Sequence, residues 1–313
     1  MNITKNEPLA AHTYFKLGGP ADQFATASST DELIELVRYA HKEEIPCIVI
    51  GGGSNVLISD SGFRGLVIKN RSSKIQLKGF TGQATRGKVN LKEVIVQDDS
   101  GVQANQLISH TLDEGLAGLE DFLGLPGSVG GAIYNNSHHL GKLIGDLVVE
   151  VTALNSAGEV ITLHPQDLKF AYDYSVFHET HDTILTASFQ LKQSDKTALW
   201  EIGNAAVKRR ATTQPLGKPS SGCIFKNISI ADAMRLGTPN HTCSAGYLID
   251  KAGLKGSRVG GAIVSDVHAN FIINDGSATS ADILNLIGVI QDQVKEKYGV
   301  DLIEEIIVIG GKA

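Results

Sequence analysis

Residues 45 to 59 read IPCIVIGGGSNVLIS, and how this stretch is interpreted decides the fold. Ile45 to Ile50 is rich in β-branched residues and predicts a buried strand; three glycines interrupt it, and Val56 to Ser59 forms a second apolar run. A loop that approaches a pyrophosphate needs positions without a Cβ, so that backbone N–H groups can point at the anion. Gly51, Gly52 and Gly53 supply such positions, Ser54 and Asn55 add side-chain donors, and Val56 opens the next strand. The Rossmann fingerprint does not fit, because its third glycine would fall at Val56 and a strand follows where a helix is required. The Walker A pattern fails too, since no Gly-Lys-Ser/Thr follows. A plain tight turn is the competing reading.

Upstream, STDELIELVRYAHKEE (residues 29–44) starts with Ser29 and has Glu32 three positions on, a capping box. Leu33, Ile34, Leu36, Val37 and Ala40 then fall on one helical stripe. The local order is helix, strand, glycine turn, strand. Downstream, ANQLISHTLDEGL (104–116) predicts a helix that leads through GLEDFLGLPG into SVGGAIYNN (128–136), which reads as an apolar strand rich in small residues. Glycines inside a strand cost stability, so this stretch implies close approach by a flat group or by another piece of backbone. Between Asp146 and Gln190 the runs LVVEVTALN, EVITLH and TILTASFQL are short and β-rich, and predict antiparallel additions to the same body.

WEIGNAAVKRRA (200–211) predicts a helix followed by the Pro-, Gly- and Ser-rich loop TTQPLGKPSSG, which places a domain boundary near residue 200. In SADILNLIGVIQDQVKEKYG (280–299), Ser280 is the expected cap, Ile283, Leu286, Ile287 and Ile290 the apolar stripe, and Gly299 the terminator. The run LIEEIIVI (302–309) predicts a strand buried on both faces.

With 313 residues, of which 42% are hydrophobic, the chain can bury two or three subdomain cores. A net charge of -6 gives no broad basic field, so nucleic acid and anionic membrane surfaces are not expected as partners. The three cysteines, Cys47, Cys223 and Cys243, are too few and too widely spaced for a disulfide framework, and no signal-peptide stretch or run of ~18 apolar residues is present. These features predict a cytoplasmic protein in a reducing compartment. A zinc site drawn from His241, Cys243, Cys223 and His268 lacks any paired Cys-x-x-Cys spacing, and no metal is expected.

Six blocks occur in one order: TYFKLGGPA (13–21), IGGGSNVLISDSGFRGLVI (50–68), GLEDFLGLPGSVGGAIYNN (118–136), SSGCIFKN (220–227), SAGYLIDKAGLKGSRVGGAIVSDVHANFIIN (244–274) and EKYGVDLIEEIIVIGG (296–311). From Thr13 onward this pattern resembles the UDP-N-acetylenolpyruvoylglucosamine reductase family. The resemblance implies an α+β fold: residues 1–200 as a two-part FAD-binding region of the vanillyl-alcohol oxidase type, divided roughly into 1–70 and 71–200, and residues 201–313 as a smaller α+β domain for the UDP-sugar. The extreme C-terminal strand would contribute to the active site. It implies FAD as cofactor, NADPH as reductant and a monomer acting on a small UDP-sugar. The flavin contacts it implies are Gly51, Gly52, Gly53, Ser54, Asn55 and Val56 in one segment, and Pro126, Gly127, Ser128, Gly130, Gly131, Ala132 and Asn135 in the other.

By the same resemblance Cys223, where the family usually has serine, is the proton donor, and Glu305 of the closing motif polarises the substrate carboxylate or positions a water. A thiol is a stronger acid than a hydroxyl and still mostly protonated at neutral pH. Tyr172, Gln214, Lys226, Asn227 and His268 map onto substrate-binding positions. Two departures stand out. Asp173 follows Tyr172 where the family has arginine, with Lys226, Arg209 or Arg210 as possible replacements, and Ser137-His138-His139 stands where small residues are usual. The missing arginine keeps two alternatives open: an FAD-binding paralogue without reductase activity, and a related flavin oxidase.

Overall fold

The computed structural model describes residues 2–85 and 88–310, with the side chains of 81–91 left aside. Gly311, the last residue of the closing motif, lies outside it. The chain forms two compact units: Met1–Lys5, Gln23–Gly52 and Gly65–Arg210 in the first, and Asn6–Asp22, Gly53–Arg64 and Ala211–Ala313 in the second. The division thus runs at Arg210/Ala211 and not at residue 200, and the second unit takes in two segments from the first 64 residues.

The first unit holds one whole sheet and most of another. In one, strands β1 (Thr4–Pro8), β2 (Pro20–Ala27), β3 (Cys47–Ile50) and β5 (Phe63–Asn70) are ordered β1-β2-β5-β3, with β3 parallel to β5. Helix α1 (Thr30–Lys42) covers it. Its cap is as the sequence predicts on one side: the Ser29 hydroxyl accepts from the Glu32 N–H at 3.2 Å, while the Glu32 carboxylate reaches back to the Ser28 N–H at 2.7 Å. Leu33, Leu36, Val37 and Ala40 are buried against Ala25, Leu66 and Ile68, whereas Ile34 is only half-buried at the edge of the stripe.

The other sheet contains β6 (Ile75–Thr85), β7 (Lys88–Asp99), β11 (Val148–Leu154), β12 (Val160–Leu163) and β13 (Thr183–Gln193), ordered β12-β11-β13-β7-β6, with β8 (Leu116–Ala117) beside β13. All its pairings are antiparallel, as the short β-rich runs predict. Helices α2 (Ala104–Asp113) and α3 (Val129–Tyr134) close one side, around the fully buried Phe122, Phe177 and Phe189. Full burial of such a ring contributes about 1.5–3 kcal/mol. SVGGAIYNN is therefore not a strand. The Ser128 carbonyl and hydroxyl accept from the Ala132 and Gly131 N–H groups and wind the segment into α3, while the N–H groups of Val129 and Gly130 go to the carbonyls of Val102 and Ser100. Its small residues serve a helix packed onto backbone.

The second unit is built on α9 (Ser280–Tyr298), whose Ile283, Leu286, Ile287, Ile290 and Val294 are buried. Its cap is Thr279, in a full capping box with Asp282, and not Ser280. Ser280 is buried because its hydroxyl donates to the Ile58 carbonyl and its N–H to Asp60 at 2.8 Å. Gly299 at φ +63° ends the helix as expected. Strands β14 (Arg258–Val259), β15 (Ala262–Val264) and β16 (Ile272–Asn274) make an antiparallel sheet, and β4 (Val56–Ile58) pairs in parallel with β17 (Ile307–Ile309).

LIEEIIVI is not one strand buried on both faces. Glu304 bridges Phe225 antiparallel, the chain bends at Ile306, and only then does β17 join β4. That change of partner leaves Ile303 66% exposed.

Candidate functional site

In the first unit the two glycine-rich segments lie against each other. A Cβ on Gly51 would stand 2.0 Å from the Ser128 hydroxyl oxygen, and one on Gly52 2.6 Å from the Gly127 Cα. Gly127 itself adopts φ +95°. Gly130 is less constrained, with 3.0 Å to the Ser100 backbone and side chain. At Gly51, Gly52 and Gly127 glycine is required by protein packing alone.

Gly131 differs. It is exposed, its φ is ordinary, and the only atom a Cβ would meet within 4 Å is the Ser128 hydroxyl oxygen at 3.8 Å. Glycine in a helix costs about 1 kcal/mol relative to alanine, and no neighbouring residue requires it here. A flat group lying on the Gly131 backbone would require it, so this face fits an aromatic cofactor ring. Ala132 is buried beside it, and the half-buried Asn135 caps α3 with its N–H on the Gly131 carbonyl at 3.2 Å.

In the second unit the chemistry-bearing segments are joined through backbone. The Glu305 N–H donates to the Ile224 carbonyl at 2.8 Å, and the Lys226 N–H to the Ile303 carbonyl at 2.8 Å. Cys223 and Glu305 therefore sit on adjacent, paired chain segments. The Asn55 amide donates to the Glu305 carbonyl at 3.1 Å, the Ile307 N–H to the Asn55 carbonyl at 3.0 Å, and the Ser221 hydroxyl to the Val56 carbonyl at 3.1 Å. Thus Asn55, assigned to the flavin from sequence, also ties the Gly53–Val56 loop to Glu305. Gly53, at φ +75°, has room for no Cβ, which would lie 2.2 Å from the His12 carbonyl oxygen.

Asn270, which sequence reasoning did not single out, holds this arrangement. Its side chain accepts from the Phe225 N–H at 3.0 Å and donates to the Phe225 carbonyl at 2.8 Å, and its own carbonyl accepts from the Ile224 N–H at 2.8 Å. The signal was present in VHANFIIN, where a polar residue interrupts an apolar run. His268, two positions earlier, accepts from the Asn270 N–H at Nδ1 (3.3 Å) and packs edge-on to Phe271, with ring centres 4.8 Å apart. Burial, then the Lys255 charge, holds its pKa below the usual imidazole value, so it is neutral near pH 7 and offers Nε2–H as a donor. Gln214 and Lys226 are half-buried and Asn227 is exposed in the same unit.

Tyr172 and Asp173 belong to the first unit. Asp173 is buried at φ +49° in the turn between Ala171 and Tyr174, and its carboxylate meets Nδ1 of His138 at 3.0 Å. The Tyr172 hydroxyl lies 3.2 Å from Nε2 of the same ring. The two departures from the family pattern are therefore one structure, a pairing that sequence distance had hidden. Next to it, His139 Nδ1 lies 3.3 Å from the buried Arg210 guanidinium; burial and that charge lower its pKa.

The three cysteines form no disulfide. Among the described residues no helix is long and apolar enough to cross a membrane, and no group of three or more His, Cys, Asp or Glu is placed to hold a metal ion.

Known proteins match this architecture along its length. Residues 21–164 match the model of an FAD-binding domain, and residues 214–309 that of the UDP-N-acetylenolpyruvoylglucosamine reductase C-terminal domain. The UDP-N-acetylenolpyruvoylglucosamine reductase of Caldanaerobacter subterraneus is 38% identical, covering 98% of this chain and 93% of its own, and that of Bacillus subtilis 36%, covering 99% and 94%. The crystal structure of the Thermus caldophilus reductase superposes with a TM-score of 0.76 at 29% identity, over 99% of this chain and 98% of that one. By sequence and by fold, the chain belongs to the UDP-N-acetylenolpyruvoylglucosamine reductase family.

Proposed function

We propose that the protein reduces the enolpyruvyl ether of UDP-N-acetylglucosamine enolpyruvate to UDP-N-acetylmuramate, using NADPH, in the cytoplasmic synthesis of peptidoglycan precursors. FAD, when bound, would supply two-electron hydride chemistry between NADPH and the methylene carbon of the enolpyruvyl group. Gly51 and Gly52, together with the Pro126–Ala132 segment and Asn135, would hold the cofactor, with the open Gly131 backbone free to take a flat ring. Gly53, Ser54, Asn55 and Val56 would be further cofactor contacts.

Hydride addition places negative charge on the carbon next to the substrate carboxylate. The Cys223 thiol donates its proton to that carbon and is reprotonated from solvent, so that one hydride and one proton add across the double bond. Glu305 hydrogen-bonds to and orients the carboxylate. Gln214, Lys226, Asn227 and His268 bind the nucleotide sugar: Lys226 as the cation near the phosphates, and His268 as a neutral donor. Tyr172, paired with His138 beside Asp173, is a further substrate contact.

The observation that supports this reading is the 2.8 Å hydrogen bond from the Glu305 N–H to the Ile224 carbonyl, which pairs the chain segments that carry Cys223 and Glu305. The test is colour under anaerobic conditions. The protein should bind FAD and turn yellow, bleach with NADPH, and recolour when the enolpyruvyl substrate is added. Recolouring only in air points to an oxidase, and a protein that takes up no FAD points to a non-reductase paralogue.

A further inference from the structure

The contact between Tyr172, His138 and Asp173 has the geometry of a proton-linked binding device. The Ala171–Tyr174 turn, closed by backbone hydrogen bonds of 3.1 and 3.3 Å, puts Asp173 into the left-handed region at φ +49°, which aspartate tolerates better than most residues. Its side chain is 4% exposed and its carboxylate stands 3.0 Å from His138 Nδ1. A carboxylate there fixes the N–H on Nδ1, which leaves Nε2 of the neutral ring as an acceptor. With the ring neutral, the Tyr172 O–H donates to Nε2 across 3.2 Å, with the two rings 4.5 Å apart. Tyr172 is 42% exposed, so its hydroxyl is the end of the array that a ligand meets.

We infer that Asp173, His138 and Tyr172 form a relay that binds an anionic oxygen of the substrate, a carboxylate or phosphate oxygen, and takes up one proton at His138 as it does so. An anionic oxygen offers only lone pairs, so the Tyr172 O–H must turn from Nε2 to the ligand. The phenol oxygen and the Nε2 lone pair would then face each other. Protonating Nε2 restores the hydrogen bond, now from Nε2–H to the phenol oxygen, and the imidazolium is paired with Asp173. The proton comes from the buffer, and no covalent bond changes. Asp173 and His138 are positioning residues that act through the Tyr172 hydroxyl.

The other charged groups around this strand (β9, His138–His139) have partners of their own. Lys142 on the paired strand β10 (Lys142–Leu143) contacts Asp121, Glu120 accepts from the Gly118 N–H, Asp146 accepts from the Leu143 N–H, and Tyr174 beyond the turn donates to Glu179. His139, the next residue on the same strand, has its pKa lowered by burial and then by the Arg210 charge, and it serves as the control.

The inference rests on the reading of the ligand as a UDP-sugar acid. The FAD-loaded protein is titrated with UDP-N-acetylmuramate by calorimetry at pH 7.5, in buffers of differing ionisation enthalpy, so that the dependence of heat on buffer counts protons. The wild type should take up a proton on binding, at most one per UDP-N-acetylmuramate bound. Tyr172→Phe, His138→Gln and Asp173→Asn should abolish the uptake and weaken binding roughly 5- to 50-fold. Asparagine keeps both the size and the tolerance for positive φ, so that variant should fold. His139→Gln should leave the uptake unchanged. Binding without proton uptake, or uptake that survives His138→Gln and vanishes in His139→Gln, overturns the relay alone; no binding at all overturns the UDP-sugar reading and the relay with it.

Discussion

Replacing Gly131 by alanine separates what the protein needs from what the cofactor needs. In the protein alone, the new methyl group meets only the Ser128 hydroxyl oxygen at 3.8 Å, an ordinary contact. The substitution also restricts the unfolded chain and improves helix propensity, which together stabilise by about 0.5–1 kcal/mol. For a protein of this size that raises the apoprotein melting temperature by roughly 1–4 °C. With FAD bound, the methyl projects into the ring face. Overpacking of that kind costs about 1–3 kcal/mol, or roughly a 5- to 150-fold loss of FAD affinity. Melting of the apoprotein and quenching of flavin fluorescence on titration give the two numbers. Gly52→Ala is the counterpart: its Cβ would lie 2.6 Å from the Gly127 Cα, backbone that cannot yield, so the apoprotein itself should lose stability. A Gly131→Ala protein with unchanged FAD affinity would refute the assignment of this face to the cofactor.

Asp98 is buried on β7, and burial, with the neighbouring Asp99 charge, pushes its carboxyl well above the ordinary value. The folded protein then keeps a proton that the unfolded chain releases above about pH 4, so this group's contribution to stability is full at or below that pH and is lost as pH rises towards the folded pKa, by up to ~1.4 kcal/mol per pH unit. Asp98→Asn should flatten this slope between pH 5 and 8; equal slopes in thermal unfolding of the two proteins would contradict it. Asn270→Ala leaves both the N–H and the carbonyl of Phe225 without their partner, at about 1–3 kcal/mol each. It should lower the melting temperature and the rate of substrate reduction together, while a normal rate in a destabilised protein would mean that Asn270 supports the fold and not the site.

The regular elements were legible in the sequence because their signals are local. Ser29, the stripe through Ala40 and the Gly299 terminator each act within a few residues and predicted α1 and α9 closely. SVGGAIYNN was misread because its helix is set by contacts of Val129 and Gly130 with the carbonyls of Val102 and Ser100, which no local pattern encodes. LIEEIIVI was misread because the chain changes partner at Ile306, an event visible only in three dimensions. For the site, the motif blocks picked out the two segments, carrying Cys223 and Glu305, that the structure pairs, while the ties from Asn55 and Asn270 and the pairing of Asp173 with His138 join residues 35 or more positions apart.

Cys223 as the proton donor is tested most directly by following flavin reoxidation in a single anaerobic turnover. In Cys223→Ala, reduction by NADPH should proceed at the wild-type rate, while reoxidation by the enolpyruvyl substrate slows roughly 10²- to 10⁴-fold, and Cys223→Ser should keep part of that rate. Reoxidation of Cys223→Ala at the wild-type rate would contradict the account.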